Sequence, residues 1–365
     1  MRIGLVCPYS LTFPGGVQGQ VLGLARHLRA AGHDVSIVAP CDGPAPADHV
    51  IVIGESVPNQ TNGSVAPIAP GPAAAARTIK ALWDEKFDIV HVHEPLCPGP
   101  SATTVVMKPA PLVGTFHAAG DQPAYEKLSG MARWFAVRME ALVAVSKEAQ
   151  ALAGVAIPGP WTILFNGVDI DQFTSTDAAL DLPDDRKSVL FVGRHEERKG
   201  LGVLLEAISM MPDDIAVWIA GDGPQTAELR ARHRKDQRIV WLGRIDDAER
   251  NRRMAAASVF CAPSLRGESF GVILLEAMAS GAPVVTSMIN GYVGVAGPLD
   301  GRPAAAILSE TGNARALADS LTRVLRDDDL AATLRAEGRL RAERFSMRRL
   351  AEAYLGIYEG VLALA

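Results

Sequence analysis

Short apolar runs recur along the chain, and between them apolar residues fall at three- and four-residue spacing. In the first half the runs are Ile3 to Cys7, Val35 to Ala39, Val50 to Ile53, Ile89 to His93, Leu112 to Phe116, Leu142 to Val145 and Ile163 to Phe165. They are continuous rather than alternating, the pattern of parallel strands covered on both faces. After the first run, Val17, Val21, Leu24 and Leu28 share one face of a helix that Gly32 stops. The second half repeats the alternation with Val189 to Val192, Ile215 to Ala220, Arg238 to Leu242, Val259 to Ala262, Pro283 to Thr286 and Ala305 to Leu308. This predicts an α/β protein in which one doubly wound architecture is used twice. The break falls at Asn166-Gly167-Val168-Asp169 and the polar segment Thr174 to Lys187, giving domains 1–167 and 168–345. Gly43 to Ala47 and Ala66 to Ala76, rich in proline and alanine, read as loops.

Composition narrows the function classes. A chain of 365 residues, 48% hydrophobic, is longer than one core sustains. The net charge of -5 leaves no footprint for nucleic acid. Cys7, Cys41, Cys97 and Cys261 have no paired spacing and read as thiols of a reducing compartment. The first strand begins at once, with no leader pattern, and no apolar run reaches spanning length. The expectation is a cytoplasmic protein whose membrane role, if any, is peripheral contact with the inner face.

In doubly wound sheets ligands bind beyond the carboxyl ends of strands, so the chemistry is sought there. Gly267 to Glu276 places Glu268 in a glycine turn and Glu276 on the following helix, with backbone N–H groups between them as an anion site. Arg194 and Lys199, in the glycine-bounded loop Gly193 to Gly200, suit the stabilisation of a departing diphosphate without metal. Gly15 and Gly16 open a helix where a phosphate can approach the backbone, although a turn that needs positive φ would also account for them. They lack the spacing of a dinucleotide fingerprint, which demotes a Rossmann oxidoreductase. His117 ends a strand and is followed by small residues, as a substrate-facing histidine would be. His91 and His93 share a strand face and, with Glu94, offer metal chemistry, against the commoner reading of hydrogen-bonded histidines. Asp169-Ile170-Asp171 formally matches a metal-binding acidic pair but suits the capping of a turn better.

Together, Pro14-Gly15-Gly16-Val17-Gln18, Asn62-Gly63-Ser64, His91 to Pro95, Thr115-Phe116-His117, Asn166 to Asp169, Arg194 to Gly200, Gly221-Asp222-Gly223-Pro224 and Gly267 to Glu276 resemble glycosyltransferase family 4. This is a retaining family with the GT-B fold, two Rossmann-like domains facing a central cleft. Within it the chain looks most like actinobacterial phosphatidylinositol mannosyltransferases. The resemblance implies that Gly16 meets the donor diphosphate, that Arg194 and Lys199 neutralise it, and that Glu276 holds the ribose. Glu268, with the amides of Phe270 and Gly271, would hold the sugar. The base would lie against Ile245, with Asp247 favouring guanine and hence GDP-mannose over a UDP sugar. Catalysis would fall to His117, Arg194, Lys199 and Glu268. Tyr9, Gln18, Asn62 and His117 would meet an inositol-like polyol, and Arg198 a lipid phosphate. No metal or other cofactor is implied, and a C-terminal helix, 346–365, would return to the first domain. The chain departs from the lipid-modifying members where they carry cations, reading Val65-Ala66-Pro67-Ile68 and Ala118 to Gln122 instead. The membrane-docking helix is thinned to Arg77, Lys80 and Lys86, with Leu82 and Trp83 as apolar anchors. A non-catalytic nucleotide-sugar binder is the alternative from another class.

Overall fold

The structure, a computed structural model, describes residues 1–61, 64–119, 129–174 and 186–364. The chain forms two compact units, Met1–Gly167 with Met347–Ala365, and Val168–Ser346.

The first unit is built on strands β1 (Arg2–Val6), β2 (Asp34–Ala39), β3 (Val50–Val52), β6 (Ile89–His93), β7 (Leu112–Phe116), β8 (Ala141–Ala144) and β9 (Trp161–Ile163), ordered β3-β2-β1-β6-β7-β8-β9. Every pairing in this sheet is parallel. Each of β1, β6 and β7 is almost wholly buried, which is why their sequences are largely apolar, His91, His93 and Thr115 being the buried polar exceptions. The order reverses between β1 and β6, so the loops after these two strands flank a topological switch point. That places the segment from Tyr9 to Gly16 beside His93, with His117, which follows β7, one strand further along.

Two predicted stretches come out differently. The strand expected at Ile163 to Phe165 lies at Trp161–Ile163, because Leu164 already leaves the ladder after donating to the carbonyl of Ala144. The expected loop Ala66 to Ala76 holds the end of an antiparallel hairpin, β4 (Val57–Thr61) with β5 (Ser64–Ile68), and then a helix from Pro72 to Glu85. Pro72 opens that helix, where its missing N–H is harmless.

The last helix, Met347–Leu362, belongs to the first unit. It buries Leu350, Tyr354, Tyr358 and Val361 against Val21, Leu24 and Leu28 of the helix Gly16–Ala30. Gly23 permits the approach, since a Cβ there would lie 2.6 Å from the Met347 methyl. Gln20 clasps Gly167 with both ends of its amide, donating to the carbonyl at 2.8 Å and accepting from the N–H at 2.7 Å.

The second unit repeats the plan with β10 (Lys187–Val192), β11 (Ile215–Ala220), β12 (Ile239–Gly243), β13 (Val259–Ala262), β14 (Val284–Ser287) and β15 (Ile307–Ser309), ordered β12-β11-β10-β13-β14-β15. The switch lies between β10 and β13, so the loops Gly193 to Gly200 and Pro263 to Gly271 rise side by side from the two strand ends. Among the described residues no helix is long and apolar enough to cross a membrane.

Candidate active site

In the second unit the loop after β10 ends in a tight turn, Glu197–Lys199, closed by Gly200 at φ 70°. A Cβ on Gly200 would lie 1.9 Å from the carbonyl oxygen of Pro263, so only glycine lets this loop press against the end of β13. Leu265 N–H then donates to the Arg198 carbonyl at 2.7 Å, tying the two loops together.

That juxtaposition assembles a charged web. Glu196 takes Arg194 Nε on one oxygen and Arg198 Nε on the other, both at 2.9 Å. Glu268 Oε1 takes Lys199 Nζ at 2.6 Å and Arg198 Nη1 at 3.2 Å. Three cations against two carboxylates leave one net positive charge, held in partly buried surroundings where Coulomb attraction is less screened than in water. Tyr292 and Ser264 buttress the web from below, with their hydroxyls 2.9 Å apart. Gly291 is required there as well, because a Cβ would lie 2.0 Å from the Glu268 carbonyl oxygen.

The helix that follows Glu268 is Val272–Ala279, entered through Gly271 at φ 87°. Phe270 is buried, its ring edge against Phe345. Glu276 sits on this helix with Oε2 buried and, among the described residues, without a hydrogen-bond partner, its contact with Arg250 Nε being an ion pair at 4.0 Å. Burial therefore pushes its carboxyl upward, Arg250 opposing. A buried acceptor without a donor is what a ribose hydroxyl would satisfy. Ile245 is half-buried, and Asp247 is exposed and paired with Arg250 at 2.9 Å. The neighbouring Asp246 is committed to capping its helix through Glu249 N–H at 2.7 Å.

The first unit is arranged on the opposite principle. His91 is fully buried, with Nδ1 2.7 Å from the Tyr358 hydroxyl and Nε2 2.6 Å from Thr115 Oγ1. Thr115 in turn meets the Tyr354 hydroxyl at 2.9 Å. His93 Nδ1 lies 2.9 Å from His117 Nε2, and Asn166 hydrogen-bonds the His117 side chain. Burial pushes His91 down to about 3 and His117 to about 4, with His93 depressed by burial and by its two neighbours. All three rings are thus neutral near pH 7. Glu94 accepts the N–H groups of His117 and Ala118, both at 2.7 Å, which fixes the turn after β7.

Those contacts describe the cluster as it stands, with His93 Nε2 buried and without a hydrogen-bond partner among the described residues. Both nitrogens of His91 are occupied by hydroxyls and the Glu94 carboxylate holds backbone, so the cluster His91, His93 and Glu94 is a hydrogen-bonded one. Among the described residues no group of three or more His, Cys, Asp or Glu is placed to hold a metal ion. Asp169 closes the turn before the helix Asp171–Thr174, its carbonyl accepting from Gln172 N–H and its carboxylate from Gln172 Nε2.

The remaining predicted residues divide. Gly15 has φ −168°, ordinary extended backbone, and Gly16 begins the helix with nothing within 4 Å of a built Cβ. Neither glycine has positive φ, so the turn explanation fails. Gln18 is buried and donates to the Ser10 carbonyl at 3.3 Å, while Tyr9 is half-buried and bridges to Ile68. Asn62 lies outside the described residues. Arg198, expected to face a lipid phosphate, is shared between Glu196 and Glu268 beside Lys199. Leu82, expected as an exposed anchor, is 2% exposed and belongs to the core. The sequence reading missed Glu196, Thr115, Tyr354 and Tyr358. Only Glu196 carried a local signal, as one of the two acids between Arg194 and Arg198.

Comparison with known proteins agrees with this architecture. Residues 14–172 match the family model described as Glycosyltransferase Family 4, and 186–327 match the one described as Glycosyl transferases group 1. The sucrose-phosphate synthase of Thermosynechococcus elongatus superposes with a TM-score of 0.79 at 21% identity, covering 100% of both chains. The protein is a glycosyltransferase with the GT-B fold of paired Rossmann-like units. A phosphatidyl-myo-inositol mannosyltransferase of Mycobacterium leprae is 36% identical over 99% of this chain and 97% of its own. A D-inositol 3-phosphate glycosyltransferase of Xylanimonas cellulosilytica is 31% identical over 74% of this chain and 72% of its own. The chain belongs to glycosyltransferase family 4.

Proposed function

We propose that the protein transfers mannose from GDP-mannose to an inositol phospholipid, with retention of configuration and without a metal ion. The observation that supports this reading best is the near-complete alignment, at 36% identity, with a phosphatidyl-myo-inositol mannosyltransferase. The charged web gives the chemistry a physical basis. As the glycosidic bond breaks, negative charge builds on the diphosphate, and Arg194 and Lys199 are the cations that stabilise it in place of a metal. Arg198, locked to Glu196 and Glu268, orients both neighbours. Glu276 accepts from the ribose and Asp247 from guanine, whose N1–H and N2 amine are adjacent donors. Glu268 and the backbone of Phe270 and Gly271 hold the sugar. Gly16 offers its backbone to the diphosphate. On the acceptor side, Tyr9, Gln18, Asn62 and a neutral His117 suit a polyol.

The missing cations after Ser64 and after His117 favour a second reading, in which the acceptor is a soluble inositol rather than a phospholipid. The relative that acts as a D-inositol 3-phosphate glycosyltransferase is consistent with it. One experiment separates them: enzyme and labelled GDP-mannose incubated with detergent-dispersed phosphatidylinositol, with myo-inositol, or with inositol 3-phosphate, each with and without chelator. Label in the lipid, unaffected by chelator, is the expected result. Label only in soluble inositol would replace the acceptor, transfer only from UDP sugars would replace the donor, and loss with chelator would overturn metal independence.

A further inference from the structure

We propose that the first unit docks on anionic phospholipid through the outer face of the helix Ser129–Ala136, not through the helix Pro72–Glu85 to which the family resemblance points. The inference rests on the acceptor being a lipid.

The helix Ser129–Ala136 is apolar on both sides. Its inner face, Ala132, Phe135 and Ala136, is buried in the core of the first unit. Its outer face continues one turn beyond the helix, where Val137 N–H still donates to the Arg133 carbonyl. Met131, Trp134 and Val137 follow one another at three-residue spacing on that face, 42%, 45% and 79% exposed. Apolar residues on a helix are ordinarily covered, and among the described residues nothing covers this outer face. Arg138 extends the patch sideways. Its guanidinium lies 4.8 Å from the centre of the Trp134 ring and donates to the carbonyls of Val105 and Val106, and Val106 is itself 48% exposed.

Charge selects the occupant. From Ser129 to Met139 the chain carries Arg133 and Arg138 and no acid, and the next acid, Glu140, is held by Lys108. The helix Pro100–Met107 beside it has no charge at all. An aromatic and aliphatic face edged by arginines, without carboxylates, fits the headgroup boundary of an anionic bilayer, where tryptophan rings lodge and arginines reach phosphates. The helix Pro72–Glu85 presents less apolar surface, with Lys86 exposed just past its end. Lys80 pairs with Asp84, Glu85 holds Arg2, Arg77 donates to the Ile53 carbonyl, and Leu82 is buried, which leaves Trp83 as its exposed apolar residue.

The test is sedimentation of the full chain with phosphatidylcholine vesicles, with and without phosphatidylglycerol. The wild type should bind the anionic vesicles and little of the neutral ones. Trp134→Gln combined with Val137→Ser should weaken binding by about tenfold or more, as expected when a tryptophan and a valine no longer leave water. The melting temperature and the transfer rate to detergent-dispersed lipid should both be retained, since these side chains lie outside the core. Arg133→Gln should remove part of the salt-sensitive binding, and Trp83→Gln should change little. Wild-type protein that acts on dispersed lipid yet ignores anionic vesicles would overturn the docking surface and leave the acceptor reading intact. Equal binding by wild type and double variant, loss of binding in Trp83→Gln, or a dimer in solution that the double variant abolishes would each overturn it too. Failure to transfer to dispersed lipid would instead sink the acceptor reading.

Discussion

The two units solve the same problem, holding polar groups at strand ends, by opposite physical means. In the first unit, His91, His93 and His117 are buried, uncharged and held by neutral hydroxyl, imidazole and amide partners. In the second, Arg194, Glu196, Arg198, Lys199 and Glu268 pair with one another through short ion contacts. A neutral string fixes geometry without strong fields and suits the recognition of hydroxyls. A charged web with one cation in excess suits a phosphorylated ligand and the charge that develops on it. The contrast makes the two strand-end sites separately breakable.

The largest expected difference is in acid. The unfolded chain takes up protons on these histidines near pH 6.5, whereas in the fold His91 resists down to about 3 and His117 to about 4. Their contribution is therefore fully present above about pH 6.5 and is lost as pH falls toward 4, each site contributing up to about 1.4 kcal/mol per pH unit in that window. His195, buried in the second unit and depressed by that burial, adds a term of the same sign. Urea unfolding followed by indole NMR distinguishes the units, because Trp83, Trp134 and Trp161 lie in one and Trp218 and Trp241 in the other. Between pH 7 and pH 5 the first set should lose the more stability. Equal losses would show that the histidines are not a neutral string.

Lys199→Ala attacks the web. Turnover should fall about 10²-fold while the melting temperature changes little, and a chain that turns over normally without this lysine has its leaving-group cation elsewhere. Tyr358→Phe attacks the string by depriving His91 Nδ1 of its hydroxyl. A stability loss of about 1–3 kcal/mol is expected, the cost of an unsatisfied buried polar atom, with donor affinity unchanged. If donor affinity falls with it, the two sites are not independent. Gly16→Ala is the mildest. With open space around it and ordinary helical backbone, alanine should stabilise the fold by about 0.5–1 kcal/mol yet weaken donor binding, measured by calorimetric titration. Unchanged affinity would remove Gly16 from the donor site.

Much of this was legible in the sequence, for identifiable reasons. Buried parallel strands are mostly apolar on both faces, so β1, β6, β7, β10 and β11 announced themselves, and the ligand loops followed from the rule that sites lie at strand ends. The hairpin β4 and β5 gave no such signal, because Pro58 and Pro67 interrupt it and it forms a two-stranded sheet of its own. The site was readable one side chain at a time, as Glu268, Lys199 or His117, but not as a network. His91 and Tyr358 are 267 positions apart, and no local pattern pairs them. Arg198 shows a related limit: a basic residue in a loop shows its charge in the sequence, whereas its protein partners, Glu196 and Glu268, are set by how Gly200 packs on Pro263.

The return of the final helix sets an order of assembly. The second unit is an insertion in the first, entered after Gly167 and left at Met347, and its two connecting segments run together where Val168 N–H donates to the Phe345 carbonyl at 2.9 Å. A chain made from its amino terminus therefore has all of the second unit available to fold before Tyr354 and Tyr358 exist to complete the hydrogen bonds around His91 and Thr115. During synthesis the half begun first is the half finished last.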